Sequence, residues 1–314
     1  MSVKLKMARV LASQNRTIPV QIGEVCCSVI CQDENISRYL KPLYADFLSD
    51  KPADIGMELD IIERFSTPNI ESTLPPAKIL KWNEQIAAIC RVSGDKLSSA
   101  SPTVKVTVER QYFNPQTGFK IMNLLLPAFY YTVLRKKHRD SLPAMLVHAC
   151  GILRQGKIII FTGPSGTGKT TIARLCGNEY GEVVNDEMLL VTGAGPESGR
   201  LMTQGVPIVG GVAQRLNTKA PPSCVLMLKQ APKTSIRRLD RVEAYRRFLR
   251  QVISPRGIIE PDDTNTMLTE MAGFSDMMTK AVPFYELEFT LEKELLWRAV
   301  GEIEESLTKG KWAA

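Results

Sequence analysis

One nine-residue stretch, GPSGTGKTT at 163–171, restricts what this chain can fold into more than any other. Gly163, Gly168, Lys169 and Thr170 fill every fixed position of G-x-x-x-x-G-K-[ST], with Pro164, Ser165, Gly166 and Thr167 between them and Thr171 following. Successive backbone N–H groups that curl around a polyphosphate leave no room for large side chains, which accounts for the small residues. In such a loop Lys169 reaches the β- and γ-phosphates and the Thr170 hydroxyl binds Mg²⁺. The flanks agree: KIIIF at 157–161 reads as a short buried strand, and TTIARL at 170–175 opens a helix whose N-terminus favours anions. The sequence therefore predicts a nucleotide-phosphate site over residues 163–171, with ATP and Mg²⁺ as its cofactors.

Length and composition set the frame around that loop. The 314 residues suffice for two domains, and 44% hydrophobic with 23% charged residues is ordinary for a soluble globular chain. The apolar run 121–133 is broken by Asn123 and Pro127 and falls short of a bilayer span. The basic opening MSVKLKMARVLASQNR leads into no apolar core, so no secretory signal is expected. Seven cysteines, Cys26, Cys27, Cys31, Cys90, Cys150, Cys176 and Cys224, form no C-x-x-C pair and mostly lie in apolar stretches. That pattern argues against a zinc or disulfide framework and for a reducing cytoplasm. The net charge of +7 is concentrated in 229–256, where nine Lys/Arg face two acids. A diffuse basic balance is a weak nucleic-acid signal, so nucleic acid is not the expected partner.

Along the chain, residues 1–120 read as a strand-rich accessory domain. Residues 17–29, 55–65, 86–92 and 103–111 are β-like, and 35–48 is helical, with Ile36, Tyr39, Leu40, Leu43 and Phe47 on one side and Pro42 imposing a kink or a fresh start. NPQTG at 114–118 is a turn, and 121–142 reads as a linking helix with the basic cluster Arg135-Lys136-Lys137-His138-Arg139 near its end. In 143–314, the strand AMLVHACGI at 144–152, the turn RQGK and the strand into the loop form a hairpin, which brings His148 close to the loop. A doubly wound nucleotide-binding sheet would use a crossover helix there instead. Beyond the loop helix lie strands at 182–184, 188–191, 224–228 and 284–289, a Gly/Pro loop at 205–222 and helices at 240–253 and 291–307. Asp240 and Glu243 are spaced as a capping box, with Val242, Tyr245, Leu249 and Val252 on the apolar face.

Asp186 ends the strand that follows the loop helix, sixteen residues after Thr170. Motor and transporter ATPases carry the equivalent carboxylate much farther downstream, so the spacing favours a phosphotransferase. The His148 strand, the hairpin, GPSGTGKTT and VVNDE at 183–187 together resemble the group that unites HPr kinase/phosphorylase with ATP-dependent phosphoenolpyruvate carboxykinase, over residues 143–290. The resemblance implies an α/β protein: a P-loop domain of mixed sheet and helices, with the N-terminal α+β domain recruiting a substrate.

It also implies roles. Lys169 neutralises phosphate charge, Thr170 and Asp186 hold Mg²⁺ with Glu187 beside them, and His148 lies next to the transferring phosphoryl group, so that Asp186, His148 and Lys169 are the catalytic candidates. The acceptor would be a serine of a peptide or small protein; a homo-oligomer is left open, and the hexameric control of HPr kinase is not expected. One departure stands out: the family carries two adjacent aspartates where this chain has Asn185 before Asp186. An amide cannot accept a proton as a carboxylate does, so a base role passes to Asp186, Glu187 or His148, or is dispensable. Arg215 and Lys219 are either a phosphate clamp or solvated loop charge. A metabolite kinase of the same fold and a nucleotide-binding module without turnover are the alternatives.

Overall fold

The computed structural model describes residues 17–64, 77–82, 85–92, 103–112, 118–137, 144–177, 179–192, 200–253 and 264–309. The chain is a mixed α/β protein that divides into two units, Met1–Arg139 with Pro255–Asp262, and Asp140–Ser254 with Asp263–Ala314. The turn expected at 114–117 and the basic residues His138 and Arg139 lie outside the described residues.

The first unit is built on a six-stranded sheet. Its strands are β1 (Thr17–Ile22), β2 (Val25–Cys31), β3 (Ile55–Ile62), β4 (Ala77–Trp82), β5 (Gln85–Val92) and β6 (Thr103–Glu109), in the order β1-β2-β3-β6-β5-β4. β2, β3 and β6 run parallel, and the outer pairs are antiparallel. The β-like stretch 17–29 is thus two strands, separated by a turn in which Gly23 has φ 61°. Helix α1 (Glu34–Leu43) starts where the Asp33 carboxylate accepts the N–H groups of Asn35 and Ile36, and it stops one residue past Pro42. A 3₁₀ turn at Ala45–Phe47 follows, which is the fresh start that Pro42 predicted. Ile36, Leu40 and Phe47 are buried, but Tyr39 points to solvent, so the expected apolar face is corrected there. Helix α2 (Gly118–Lys137) packs against β2 and belongs to this unit.

The second unit holds the loop. Strands β7 (Met145–Arg154) and β8 (Lys157–Thr162) form the expected antiparallel hairpin through the two-residue turn Gln155-Gly156, whose φ angles of 49° and 73° match a primed hairpin turn. The remaining strands are β9 (Glu182–Asn185), β10 (Met188–Thr192), β11 (Met202–Gly205), β12 (Lys219–Ala220), β13 (Pro222–Gln230), β14 (Ser235–Arg238), β15 (Val252–Ile253) and β16 (Phe284–Phe289). The sheet order is β12-β11-β10-β7-β8-β13-β16-β14, with β9 and β15 also paired to β7. β8, β13 and β16 are parallel to one another, so the loop leaves the end of a parallel core.

Helices cover both faces of this sheet. Ile158, Ile160, Val225 and Met227 point to one side, where Phe248 of α4 (Arg241–Leu249) meets Phe274 and Met278 of α5 (Thr264–Ala281). Ile159, Phe161, Leu226 and Leu228 point to the other, against Ile172 of α3 (Lys169–Cys176) and Trp297 of α6 (Lys293–Thr308). Period-two alternation along β8 and β13 thus divides the interior into two cores. The helix expected at 240–253 ends at Leu249, and Val252–Ile253 turns back as a strand along β7. Its buried face is Ala244 and Phe248; Val242 is exposed, and Tyr245 and Leu249 are half-buried. Asp240 caps the helix by accepting from Val242 and Glu243 N–H, but the Glu243 carboxylate binds Arg237 and Arg247 instead of closing a box.

Candidate functional site

The loop between β8 and α3 carries three glycines with positive φ: Gly163 at 155°, Gly166 at 82° and Gly168 at 108°. Gly168 is irreplaceable on two counts, because a Cβ there would also lie 2.6 Å from the Phe289 ring. The N-terminus of α3 has no side-chain cap, so its first-turn N–H groups face outward as an anion site needs. Lys169, the first residue of α3, is only 6% exposed, and its ammonium donates to the Gly163 and Pro164 carbonyls at 2.8 and 3.1 Å. Burial lowers its pKa from the ordinary lysine value, and the charge of Glu187 opposes that shift. Gln230 at the end of β13 donates to the Gly166 carbonyl at 3.0 Å, a contact with no sequence signature.

Thr170 and Asp186 meet. The Thr170 hydroxyl donates to Asp186 Oδ2 at 2.8 Å. Asp186 is 1% exposed, and it accepts two further bonds, from Gly211 N–H to Oδ2 at 3.0 Å and from Val212 N–H to Oδ1 at 3.4 Å. These amides belong to the Gly/Pro loop, which can approach only because residues 210 and 211 are glycine. A Cβ on Gly210 would sit 2.0 Å from Asp186 Oδ1, and one on Gly211 would sit 2.7 Å from Thr170 Cγ2. Arg174 of α3 adds a long bond to the Gly211 carbonyl.

Asn185, the residue before Asp186, is fully buried and uses its whole carboxamide. Nδ2 donates to the Val206 and Ile208 carbonyls at 3.0 and 2.8 Å, and Oδ1 accepts the Glu187 and Met188 N–H groups at 2.7 and 2.9 Å. The sequence marked Asn185 only as a departure from a pattern; its bonding is that of a structural amide.

His148 sits on β7, whose backbone carbonyl accepts the Thr162 hydroxyl at 2.7 Å. Burial, followed by repulsion from Lys169, lowers the imidazole pKa below the ordinary 6.5, which favours the neutral ring. Glu187 Oε1 lies 3.9 Å from His148 Nε2, beyond hydrogen-bond reach, so the attraction that would favour the cation does not set the direction. Lys169, Thr170, Asp186, Glu187 and His148 are thereby gathered at one end of the sheet. Arg215 and Lys219 lie farther along the Gly/Pro loop, Lys219 exposed in β12.

Among the described residues no group of three or more His, Cys, Asp or Glu side chains could hold a metal unaided. A threonine hydroxyl beside one buried carboxylate suits a hard cation that keeps water and phosphate oxygens as its other ligands, which is the habit of Mg²⁺.

A family model described as SynChlorMet cassette protein ScmC matches residues 113–305, more than half of the chain. The chain belongs to the ScmC family. The ScmC match spans the loop at 163–171, His148, Asn185, Asp186, Glu187 and the segment 206–212. No curated protein matches the sequence.

Part of the basic stretch of this ScmC-family chain is paired in three dimensions. Arg237 and Arg247 each pair with Glu243 and Glu286, Lys229 pairs with Glu288, and Arg241 with Asp276. Bonds from Arg237 and Arg247 pull the Glu243 carboxyl down to about 2. Three of these acids lie outside 229–256, which is why a local count overstates the charge. Six cysteines, Cys26, Cys27, Cys31, Cys150, Cys176 and Cys224, are buried free thiols, and burial raises Cys224 to about 12. No helix among the described residues is long and apolar enough to cross a membrane.

Proposed function

We propose that this chain is an ATP- and Mg²⁺-dependent cytoplasmic kinase of the HPr-kinase-like kind, which phosphorylates a hydroxyl, first of all a serine of a peptide or small protein. The observation that carries the reading is the 2.8 Å bond between Thr170, directly after the loop lysine, and the buried Asp186 carboxylate. ATP with Mg²⁺, when bound, supplies an electrophilic phosphoryl group whose charge the metal shares. The uncapped N–H groups of α3 and the Lys169 ammonium would hold that phosphate charge, Lys169 exchanging the Gly163 and Pro164 carbonyls for phosphate oxygens. Thr170 would offer its hydroxyl oxygen to the metal while its O–H keeps donating to the Asp186 carboxylate. Neutral His148 and the Glu187 carboxylate beside it would orient the acceptor hydroxyl and take its proton.

The fold supports the same reading. A hairpin feeds the loop strand, as the resemblance to the HPr-kinase and carboxykinase group leads us to expect, and the carboxylate strand β9 pairs directly with β7. The buried bonds of Asn185 give the amide a structural purpose, which supports reading it as part of the site's framework. The family is described as a cassette protein, so products of the same cassette are the first acceptors to try.

The test is transfer of label from γ-labelled ATP to those peptides and proteins, and separately to free metabolites, by the wild type and by Lys169→Ala. Transfer to a peptide by the wild type alone supports the proposal, and transfer only to a metabolite replaces the acceptor class. Equal labelling by both proteins, or none by either, overturns it.

A further inference from the structure

Asp186 does not hold its position alone. Its carboxylate receives two of its three bonds from Gly211 and Val212, residues of a loop with no regular secondary structure. Something must press that loop against it. Apart from the long bond of Arg174 to the Gly211 carbonyl, the segment is tied by the two bonds that Asn185 sends to the Val206 and Ile208 carbonyls, three residues short of Gly211. The same side chain accepts the Glu187 and Met188 N–H groups, which fixes the bend that carries Asp186. One fully buried amide thus restrains both partners of the contact: the backbone under the carboxylate and the loop that caps it.

We propose that Asn185 is the positioning residue of the metal-nucleotide site, clamping the 206–212 segment so that Gly211 and Val212 hold the Asp186 carboxylate against Thr170. The inference rests on the kinase reading for what the site binds. The chemistry demands an amide. Two acceptors, the Val206 and Ile208 carbonyls, and two donors, the Glu187 and Met188 N–H groups, surround one side chain, and only a carboxamide presents two donors and an acceptor oxygen together. A carboxylate would keep the two accepted bonds but would set an anionic oxygen about 3 Å from two carbonyl oxygens, with no solvent access to relieve it. Asn185→Asp therefore restores the two-aspartate pattern in sequence while dismantling the clamp. A reading in which residue 185 is a lost catalytic base makes the opposite forecast, that the aspartate improves transfer.

The experiment measures affinity for a fluorescent ATP analogue with Mg²⁺ and with EDTA, for the wild type, Asn185→Ala and Asn185→Asp, together with amide hydrogen exchange over 206–212. Both variants are expected to lose about tenfold or more of the Mg²⁺-dependent affinity, as loss of two buried hydrogen bonds in Asn185→Asp and of four in Asn185→Ala implies, and to keep metal-free binding through the 163–171 loop. A general loss of structure would lower both affinities together. Exchange at 206–212 should be slow in the wild type and fast in the variants. Wild-type Mg²⁺ dependence in either variant, raised transfer by Asn185→Asp, or free-peptide exchange of Gly211 and Val212 in the wild type overturns the inference; the last of these needs no variant to fold. A wild type whose affinity ignores Mg²⁺ defeats the kinase reading instead, and exchange in the variants still decides whether Asn185 holds the loop.

Discussion

The Thr170 hydroxyl and the Asp186 carboxylate, sixteen residues apart in sequence, are joined by a 2.8 Å hydrogen bond at the end of the sheet. It links the first turn of α3 to the bend after β9 and leaves the hydroxyl oxygen's lone pairs free for a cation. Because Asp186 is buried, removing one of its three donors is costly. Thr170→Val is expected to lower stability by about 1.5–3 kcal/mol, the range for a hydrogen bond to a charged group, and to weaken Mg·ATP binding at least tenfold. Thr170→Ser keeps the hydroxyl and should remain near the wild type in both. Urea unfolding and nucleotide titration check this; a Thr170→Val protein equal to Thr170→Ser would dissolve the assignment.

The Gly210 approach yields a second prediction. A Cβ at 2.0 Å from Asp186 Oδ1 forces either the carboxylate or the loop to move, and Asn185 ties the loop from the other side. Gly210→Ala is expected to cost about 1–3 kcal/mol, as overpacking does, and to impair Mg²⁺-dependent binding more than metal-free binding. A thermal melt and the same pair of titrations decide it, and unaltered Mg²⁺ dependence would mean that the loop does not set the carboxylate.

Much of this site was legible in the sequence, for local reasons. The loop announces itself through glycines that must adopt positive φ, and the hairpin through alternation on either side of Gln155-Gly156. The spacing of Asp186 from Thr170 was enough to bring them together once β9 was recognised as the next strand. The misses share a cause: their partners are distant or their pattern is broken. Asn185 bonds to carbonyls 21 and 23 residues away, and backbone carbonyls leave no trace in sequence. Helix α5 was not foreseen, because Leu268 is exposed while Ser275 is buried and satisfied by the Met271 carbonyl, which blurs its amphipathic period. Strands β11, β12 and β14 are too short to carry a periodic signal.

Trp297 is the anchor between α6 and the far end of the loop helix. Its ring stacks on Tyr180 at 5.3 Å and meets Phe161 edge-on at 5.9 Å, and Nε1 donates to the Leu175 carbonyl at 3.0 Å near the end of α3. Trp297→Ala should lose about 3–5 kcal/mol by opening a cavity in that core. Trp297→Phe keeps most of the packing and drops the hydrogen bond, so about 1 kcal/mol is expected beyond the volume change. Chemical denaturation of the two variants separates packing from bonding, and equal losses would show that the indole N–H contributes most of the anchoring.

His148 makes a prediction about acid. Burial and the neighbouring Lys169 lower its pKa in the folded chain below the 6.5 of an unperturbed imidazole. Between the folded and unfolded values the unfolded chain binds more protons, so its stability contribution is complete above about pH 6.5 and is lost as pH falls through the folded value. Titration of the carboxylates adds its own slope at lower pH, so the informative quantity is a difference between proteins. His148→Gln cannot take up the proton. Its stability relative to the wild type should therefore improve on going from pH 7.5 to pH 5.5, measured by urea unfolding at both values. A constant gap would mean that the imidazole titrates as freely in the folded chain as in the unfolded one, and that Lys169 and burial do not hold it neutral.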